Sequence, residues 1–301
     1  MKINTHNVVS FKEKFMRPET TDESMLKADF RTFFVVKVEE MFQLMKLPIP
    51  PMRSTSHILI YITEGEAIMN IGSQTFTIHE NECMIVAAGQ VYSFSNPDIN
   101  KGFLCYFEDL FLLNKFSAAD LRQEFEFLNI WGNPSVKLGQ PVATYTQQLF
   151  ERILAEYTTH GLGTKPLTQA YFVALLYEIQ SAYKSLNASV QNMAVGLTNR
   201  FKELLTSNIR TMHRVSEYAA ALNVTPNHLN KVIKSVTGKS PTKWIDETLL
   251  LEAKMLLHQT RLSVNDVAAE IGVLDASYFS RLFRKYEGCT PLQFRKKIDG
   301  I

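Results

Sequence analysis

Two stretches of the sequence decide the fold: 225-TPNHLNKVIK-234, which leads to GKSP at 238–241, and 275-DASYFSRLFR-284, which leads to GCTP at 288–291. Aligned on Pro241 and Pro291, the two stretches lie 50 positions apart. In both, apolar residues recur at i, i+3, i+4 and i+7, the spacing of one face of an α-helix. The pattern therefore predicts one helical module that is present twice.

The two faces of each predicted helix differ in chemistry. The apolar positions are Leu229, Val232, Ile233 and Val236 in the first copy, and Phe279, Leu282, Phe283 and Tyr286 in the second. The other face has Asn227, Asn230, Lys231 and Lys234 in the first copy, and Ser277, Ser280, Arg281 and Arg284 in the second. Small polar side chains suit base edges in the major groove, and the basic ones that follow suit phosphates.

A shorter helix is predicted before each of these two. Ser216 can cap a helix over 217–222, and Ser263 can cap one over 264–271. The turns Asn223-Val224 and Gly272-Val273 each contain a residue that tolerates a left-handed conformation. An amphipathic helix with a polar outer face is usually only a solvated surface helix. Two copies in register, each preceded by Ala-Ala and followed by Ser-Pro or Thr-Pro, instead favour two helix-turn-helix units.

Residues 198–297 resemble the DNA-binding domain of the AraC/XylS family of bacterial transcription regulators, in which a long helix joins two helix-turn-helix subdomains. That helix would begin here at Pro241 and present Trp244, Ile245, Leu250, Ala253, Leu256 and Leu257. The resemblance implies DNA contacts by Asn227, His228, Asn230, Lys231, Lys234, Ser277, Tyr278, Ser280, Arg281, Arg284 and Lys285. It implies double-stranded DNA as a partner and allows RNA polymerase as a further one.

Charge and composition agree with this interpretation. Residues 198–301 contain 16 Lys and Arg against 10 Asp and Glu, a formal charge of +6 in a chain whose total is +2. The basic part is the part with the repeated module, as expected for nucleic-acid binding. A chain of 301 residues with 46% hydrophobic residues has enough apolar material for two domains. No apolar run reaches the length of a membrane span, and Cys83, Cys105 and Cys289 are not closely spaced, so a cytoplasmic protein with reduced cysteines is expected.

The front of the chain is predicted to be β-structure. Short apolar or alternating runs recur at 32–38, 57–63, 66–71, 74–78, 83–87, 91–95 and 102–107, with turn signals such as Glu64-Gly65 between them. This spacing predicts a small antiparallel barrel or sandwich. The order of Tyr61 to Gly65 and Cys83 to Gly89 is similar to the cupin-like sensor domain of the same family. The expected fold class is α+β, with a cupin-like domain at 1–185, a linker at 186–196 and an all-α DNA-binding domain at 197–301.

A barrel of this size can hold one small ligand. The predicted strands are rich in aromatic residues, although core packing is the default role for any one of them. Arg53, His57 and Tyr92 stand at predicted strand ends near the barrel mouth and are the candidate contacts for a small-molecule effector.

The alternative is a cupin-type metalloenzyme with an accessory helical domain. Metal-binding cupins place two His one residue apart, followed by a Glu and a later third His. Here His57 stands alone, and Tyr92 occupies the region of the later His. One ligand per region does not make a metal site, so neither a metal, another cofactor nor catalysis is expected.

Helices are predicted after the barrel at 118–128, 141–159 and 167–183, and the last two form an antiparallel hairpin around Gly161 and Gly163. In the family that the sequence resembles, such helices pair subunits into dimers. The hairpin could equally just cover the barrel. The expectation is a homodimer, and the sequence leaves both roles open.

Overall fold

The computed structural model describes residues 5–6, 8–17, 31–94, 100–112, 115–130, 132–183 and 193–299. The chain divides into two compact units, one of Thr5–Leu186 and one that contains Asn187–Ile301. The first combines antiparallel sheets with helices and the second is helical, which confirms the α+β fold class. Among the described residues, no helix is both long enough and apolar enough to cross a membrane.

The strands of the first unit form two sheets that share one strand. Their bounds are β1 (Thr5–His6), β2 (Phe33–Lys37), β3 (Ile49–Ser54), β4 (His57–Ile71), β5 (Gln74–His79), β6 (Glu82–Val86), β7 (Val91–Phe94), β8 (Asn100–Phe107) and β9 (Ser135–Lys137). The first half of β4 pairs with β6 and β8, and its second half pairs with β5 and β7. β2 extends the first sheet beside β8, and β3 extends the second beside β7. Apart from the parallel pair of β1 and β3, these pairings are antiparallel.

The sequence prediction of a turn at Glu64-Gly65 was wrong. Both residues lie inside β4, where the pairing with β8 shifts register between Ile62 and Glu64. Gly65 has a φ of +84°, a conformation that glycine adopts without steric cost. The irregularity therefore lies where the strand passes from one sheet to the other, and it bends the strand instead of ending it.

Both faces of the first sheet are buried, which explains why His57 to Ile62 form an unbroken buried run. Odd-numbered residues such as Tyr61 and Phe103 point to one face, where the ring of Phe150 stacks on both of them at 5.7 and 5.0 Å. Even-numbered residues such as Ile60 point to the opposite face, between the two sheets.

Two long helices, which contain Phe150 and Phe172, pack on the odd-numbered face. The helices of this unit are α1 (Val8–Phe15), α2 (Val38–Leu44), α3 (Asp109–Leu112), α4 (Ala118–Glu124), α5 (Val142–His160) and α6 (Lys165–Ala182). The predicted hairpin is confirmed as α5 and α6, and its buried side includes Phe150, Tyr157 and Phe172. The predicted helix at 118–128 is shorter, since α4 ends at Glu124 and a separate 3-10 turn follows at Glu126–Leu128.

The second unit is built from α7 (Met193–Asn208), α8 (Val215–Ala221), α9 (Pro226–Thr237), α10 (Pro241–Gln259), α11 (Val264–Glu270), α12 (Ala276–Glu287) and α13 (Pro291–Asp299). Two predicted boundaries were wrong. α7 begins at Met193, so residues 193–196 of the predicted linker 186–196 are helical. α8 begins at Val215 instead of after Ser216, because the Glu217 carboxylate accepts hydrogen bonds from the backbone N–H groups of His213 and Arg214 at 2.8 and 2.7 Å.

One apolar core holds both helix-turn-helix units. α10 contributes Leu249, Leu250 and Ala253 to this core, which also contains Leu229 and Phe279 from the two predicted repeats. The Ser240 hydroxyl caps α10 by accepting a hydrogen bond from the backbone N–H of Lys243 at 3.2 Å, and Pro241 lies in the first turn. The predicted linker helix is therefore confirmed as the element between the two units.

Candidate functional site

The exposed face of α9 has the polar residues that the sequence singled out. The Thr225 hydroxyl caps the helix by accepting a hydrogen bond from the backbone N–H of His228 at 3.2 Å, and Gly238 ends it in a left-handed conformation. Leu229 and Ile233 are fully buried, which fixes the rotation of the helix. The exposed residues of the helix include Asn227, His228, Lys231 and Lys234.

Asn230 differs from its neighbours because it is half-buried. Its side-chain amide donates a hydrogen bond to the backbone carbonyl of Pro226 at 3.0 Å, one turn earlier in the helix. To contact a base edge, this amide would have to break its hydrogen bond with the Pro226 carbonyl and form one with the base. Rotation about the side-chain bonds of Asn230 allows this.

α12 likewise has a side-chain cap at its start, a buried apolar face and an exposed polar face. The Asp275 carboxylate caps the helix by accepting from the backbone N–H groups of Ser277 and Tyr278 at 2.8 and 3.0 Å. Phe279 and Phe283 are fully buried. The exposed face carries Ser277, Tyr278, Arg281, Arg284 and Lys285, while Ser280 is half-buried. Arg281 lies 3.9 Å from Asp275 and its side chain is 71% exposed, so this ion pair is weak and the guanidinium can turn towards DNA.

Each helix thus presents neutral polar side chains near its start and cations one or two turns later. This order suits a helix whose N-terminal part meets base edges while its later cations meet phosphates. The structure brings the sequence-predicted residues of each copy together on one surface.

The two copies differ by one residue in the turn. Val224 and Val273 make equivalent backbone hydrogen bonds, to Ala219 and Ala268, and are 49 positions apart, whereas the caps Thr225 and Asp275 are 50 apart. The extra residue is Leu274, which is 98% exposed. Alignment on the prolines alone missed this insertion, although the Ala-Ala pairs, also 49 apart, signal it. An exposed leucine beside the start of a recognition helix can make apolar contact with a thymine methyl group.

The N-terminal unit contains a cavity between its two sheets. Its empty space is about 960 Å³ including the part open to solvent. α1 and α2 contribute Phe11, Val38, Met41 and Phe42, and Met16 and Met45 follow these helices. The strands contribute Phe34, Ser54, Ile58, Ile60, Ala67, Ile68, Met69, Met84, Tyr92, Phe94, Leu104 and Tyr106. The wall is apolar apart from one serine and two tyrosines, which is typical of a site for a small organic molecule.

Comparison with known proteins finds similarity to transcription regulators. Residues 218–297 match a family model described as a helix-turn-helix domain. The uncharacterized HTH-type transcriptional regulator YisR of Bacillus subtilis is 22% identical over 253 residues, which are 80% of this chain and 86% of YisR. The arabinose operon regulatory protein of Salmonella typhimurium is 20% identical over 261 residues, 81% of this chain and 85% of that protein. The chain thus contains a helix-turn-helix domain at 218–297 and is similar over most of its length to transcription regulators.

Among solved structures, unsaturated fatty acid bound ToxT from Vibrio cholerae aligns with this protein over 90% of the chain and 97% of ToxT. The sequence identity is 13% and the TM-score is 0.44. The helix-turn-helix domain and the regulators to which the chain is similar identify the protein as a DNA-binding transcription regulator.

Of the three effector contacts predicted from the sequence, only Tyr92 lines the cavity. Arg53 is half-buried on β3 next to Ser54, which does line it, and consecutive strand residues point to opposite sides. His57 is 1% exposed, and its ring stacks on Phe107 at 4.9 Å. The structure therefore does not bring Arg53, His57 and Tyr92 together at one site.

Both ring nitrogens of His57 are engaged in hydrogen bonds. The backbone N–H of Ala88 lies 3.1 Å from Nδ1, and Nε2 lies 2.8 Å from the Asp109 carboxylate. Because Nδ1 accepts, the proton is on Nε2 and is donated to Asp109. This hydrogen bond lowers the pKa of the Asp109 carboxyl group, and Arg122 reinforces the shift from 3.0 Å. His57 thus ties β4 to α3.

The metalloenzyme alternative required metal ligands in the barrel. Within the part of the chain that the structure describes, no group of three His, Cys, Asp or Glu side chains is placed to hold a metal ion. His57, the histidine from which such a site would start, has its ring nitrogens committed to Ala88 and Asp109. Cys83 and Cys105 are fully buried, and burial raises the pKa of both thiols, which disfavours the reactive thiolate.

Proposed function

We propose that this protein is a regulator of the AraC/XylS family, that it reads a promoter site with both recognition helices, α9 and α12, and that a small molecule in the N-terminal cavity alters its DNA binding. In this proposal residues 1–185 form the effector-binding domain, and the DNA-binding domain, predicted at 197–301, includes all of α7 from Met193. The observation that supports it is the pair of exposed helix faces with polar residues first and basic residues after.

The length of α10 supports simultaneous use of both helices. Its 19 residues span about 28 Å at a rise of about 1.5 Å per residue. Successive major grooves on one side of DNA lie roughly 34 Å apart. α10 packs against both helix-turn-helix modules in one core, which keeps the distance between α9 and α12 fixed.

The DNA-reading role is tested with Arg281→Ala. Loss of a bidentate contact with guanine costs about 1–3 kcal/mol, so affinity for the target site should fall roughly 5- to 150-fold. Affinity for random DNA should fall much less. Lys137→Ala is the charge-matched control, because Lys137 is 84% exposed on β9 in the other unit. Equal losses on target and random DNA would show that Arg281 contacts phosphate only.

The assay is a gel shift or footprint with DNA from upstream of the protein's own gene, at low salt and with random DNA of the same length for comparison. A protected site of two adjacent half-sites on one DNA face is expected. Failure to bind any upstream fragment in preference to random DNA would overturn sequence-specific recognition.

The effector role is tested with a cavity-filling variant. Ala67 is 8% exposed and lines the cavity, so Ala67→Phe should occupy the space where a ligand would bind. A metabolite that raises the melting temperature of the wild type and changes its DNA affinity should do neither in this variant. A response retained by Ala67→Phe would place the effector elsewhere.

We propose further that the protein is a homodimer and acts on RNA polymerase beside the promoter, in the cytoplasm where bacterial DNA lies. Exposed apolar side chains on the α5–α6 hairpin, Tyr145, Leu167 and Tyr177, support pairing through this element, whereas its opposite side packs on the sheet. Light scattering of wild type and Tyr145→Ser/Tyr177→Ser tests the dimer. A dimer that persists unchanged in the double variant would exclude this surface.

A further inference from the structure

The cavity wall is electrically neutral. Among the described residues that line it there is no Asp, Glu, Lys, Arg or His. A carboxylate or ammonium group placed there would lose its water without gaining a counter-charge, which is costly in an apolar environment. The wall therefore selects against charged ligands.

The hydroxyl of Tyr92 is the polar group of the cavity wall that is available to a ligand. Tyr92 is 5% exposed, and burial, reinforced by the nearby Tyr106, raises the pKa of its hydroxyl. No hydrogen bond to this hydroxyl occurs among the described residues, whereas Tyr106 accepts one from Ser56. Because Tyr92 lines the cavity, its hydroxyl can donate a hydrogen bond to a ligand oxygen there.

The rest of the wall is adaptable. It includes five methionines, Met16, Met41, Met45, Met69 and Met84. Methionine side chains are unbranched and polarizable, so they adjust to apolar ligands of different shape. Four phenylalanines, Phe11, Phe34, Phe42 and Phe94, add flat apolar surface. Together they suit a hydrocarbon chain or ring system, while the hydroxyls of a sugar would find too few partners.

We propose that the cavity binds a neutral, largely apolar molecule with one hydroxyl or carbonyl oxygen, which hydrogen-bonds to Tyr92. This inference rests on the proposed function, in which the cavity is the effector site. It excludes two other ligand classes, sugars and carboxylates.

The test uses matched probes on the full-length protein. Binding of 1-decanol and decanoate, of 2-naphthol and 2-naphthoate, and of arabinose is measured at pH 8 by calorimetry and thermal shift. In at least one pair the neutral compound should bind at least tenfold more tightly than its carboxylate, and arabinose should not bind. Tighter binding of a carboxylate, binding of arabinose, or no binding of either neutral probe overturns the proposal.

Tyr92→Phe tests the polar contact. The variant should bind 2-naphthol roughly 2- to 10-fold more weakly, the effect of one hydrogen bond. It should bind naphthalene as the wild type does, which also shows that the cavity is intact. Equal loss for both compounds, or no loss for 2-naphthol, contradicts the role of Tyr92. Gel shifts with the same preparations report on DNA recognition, so failure of the ligand class is distinguishable from failure of the regulator function.

Discussion

Gly272 lies in the turn of the second helix-turn-helix unit, and its replacement by alanine is the sharpest test of the C-terminal fold. Its φ is +82°, a conformation that L side chains rarely adopt. A Cβ at this position would lie 2.0 Å from the backbone carbonyl oxygen of Arg210 and 2.7 Å from Cε1 of His213. The carbonyl belongs to the backbone and cannot rotate away as a side chain would, so the segment after α7 or the turn itself must move.

The magnitude follows from two contributions. The left-handed conformation costs an alanine about 1–2 kcal/mol relative to glycine. Displacement of packed backbone and side chains typically costs a further 1–3 kcal/mol. Gly272→Ala should therefore lower the free energy of unfolding of the C-terminal unit by about 2–5 kcal/mol. Gly288 is the matched control, because its φ is +71° and an added Cβ would meet nothing within 4 Å. Gly288→Ala should lower the free energy of unfolding only by the cost of the left-handed conformation, about 1–2 kcal/mol.

The assay is urea unfolding followed by tryptophan fluorescence in a Trp131→Phe background, where Trp244 is the remaining tryptophan. Trp244 packs against the core that both helix-turn-helix modules share, so its fluorescence reports on unfolding of the whole C-terminal part of the chain. Equal destabilisation by Gly272→Ala and Gly288→Ala would refute the steric reasoning and leave only the backbone conformation as the cause.

Burial lowers the pKa of Lys202 to about 8 from 10.5, so Lys202→Met should raise the free energy of unfolding at pH 7 by up to roughly 3 kcal/mol. The gain should shrink as pH rises from about 8 and vanish above about 10.5, where the lysine is neutral in both states; urea titrations at several pH values would contradict this if the gain stayed constant. Arg284→Ala should weaken binding to all DNA alike and reduce the slope of log affinity against log salt by about 1, whereas an unchanged slope would exclude a phosphate contact. Asp109→Ala should destabilise the N-terminal unit by about 1–3 kcal/mol, since it leaves the buried N–H of His57 without its acceptor. Arg122→Ala removes only a half-exposed ion pair and should cost less than about 1 kcal/mol in the same melting experiment.

The sequence predicted the C-terminal unit well because its signals are local. The spacing of Leu229 and Ile233, the cap at Ser263 and the glycine at 288 each act within a few residues of the element that they define. The start of α8 was missed because its cap comes from Glu217, inside the helix, instead of from a residue before it. The extra residue Leu274 was missed because the spacing between the two copies changes within the repeat. Equivalent residues are 49 positions apart before Leu274 and 50 positions apart after it.

The N-terminal cavity could be predicted only in outline. β3 was missed because Pro50 and Pro51 indicate a break, and the structure accommodates them where the pairing with β7 is irregular between Ile49 and Met52. α2 was also missed, and it contributes a wall of the cavity. Whether a strand residue faces the cavity depends on register between distant strands, which a single sequence does not contain. Tyr92 was identified, but His57 and Arg53 lie outside the lining.

The rigid helix α10 has a consequence for the rotational phase of the DNA site. A helix turns by about 100° and advances about 1.5 Å per residue, so one residue added to α10 would swing the second recognition helix to another side of the DNA. One base pair added between half-sites turns the second half-site by only about 35°. The protein therefore cannot follow a change in operator spacing by a matching change in its own length. With both recognition helices bound, as proposed, an operator must keep its two half-sites in a fixed phase.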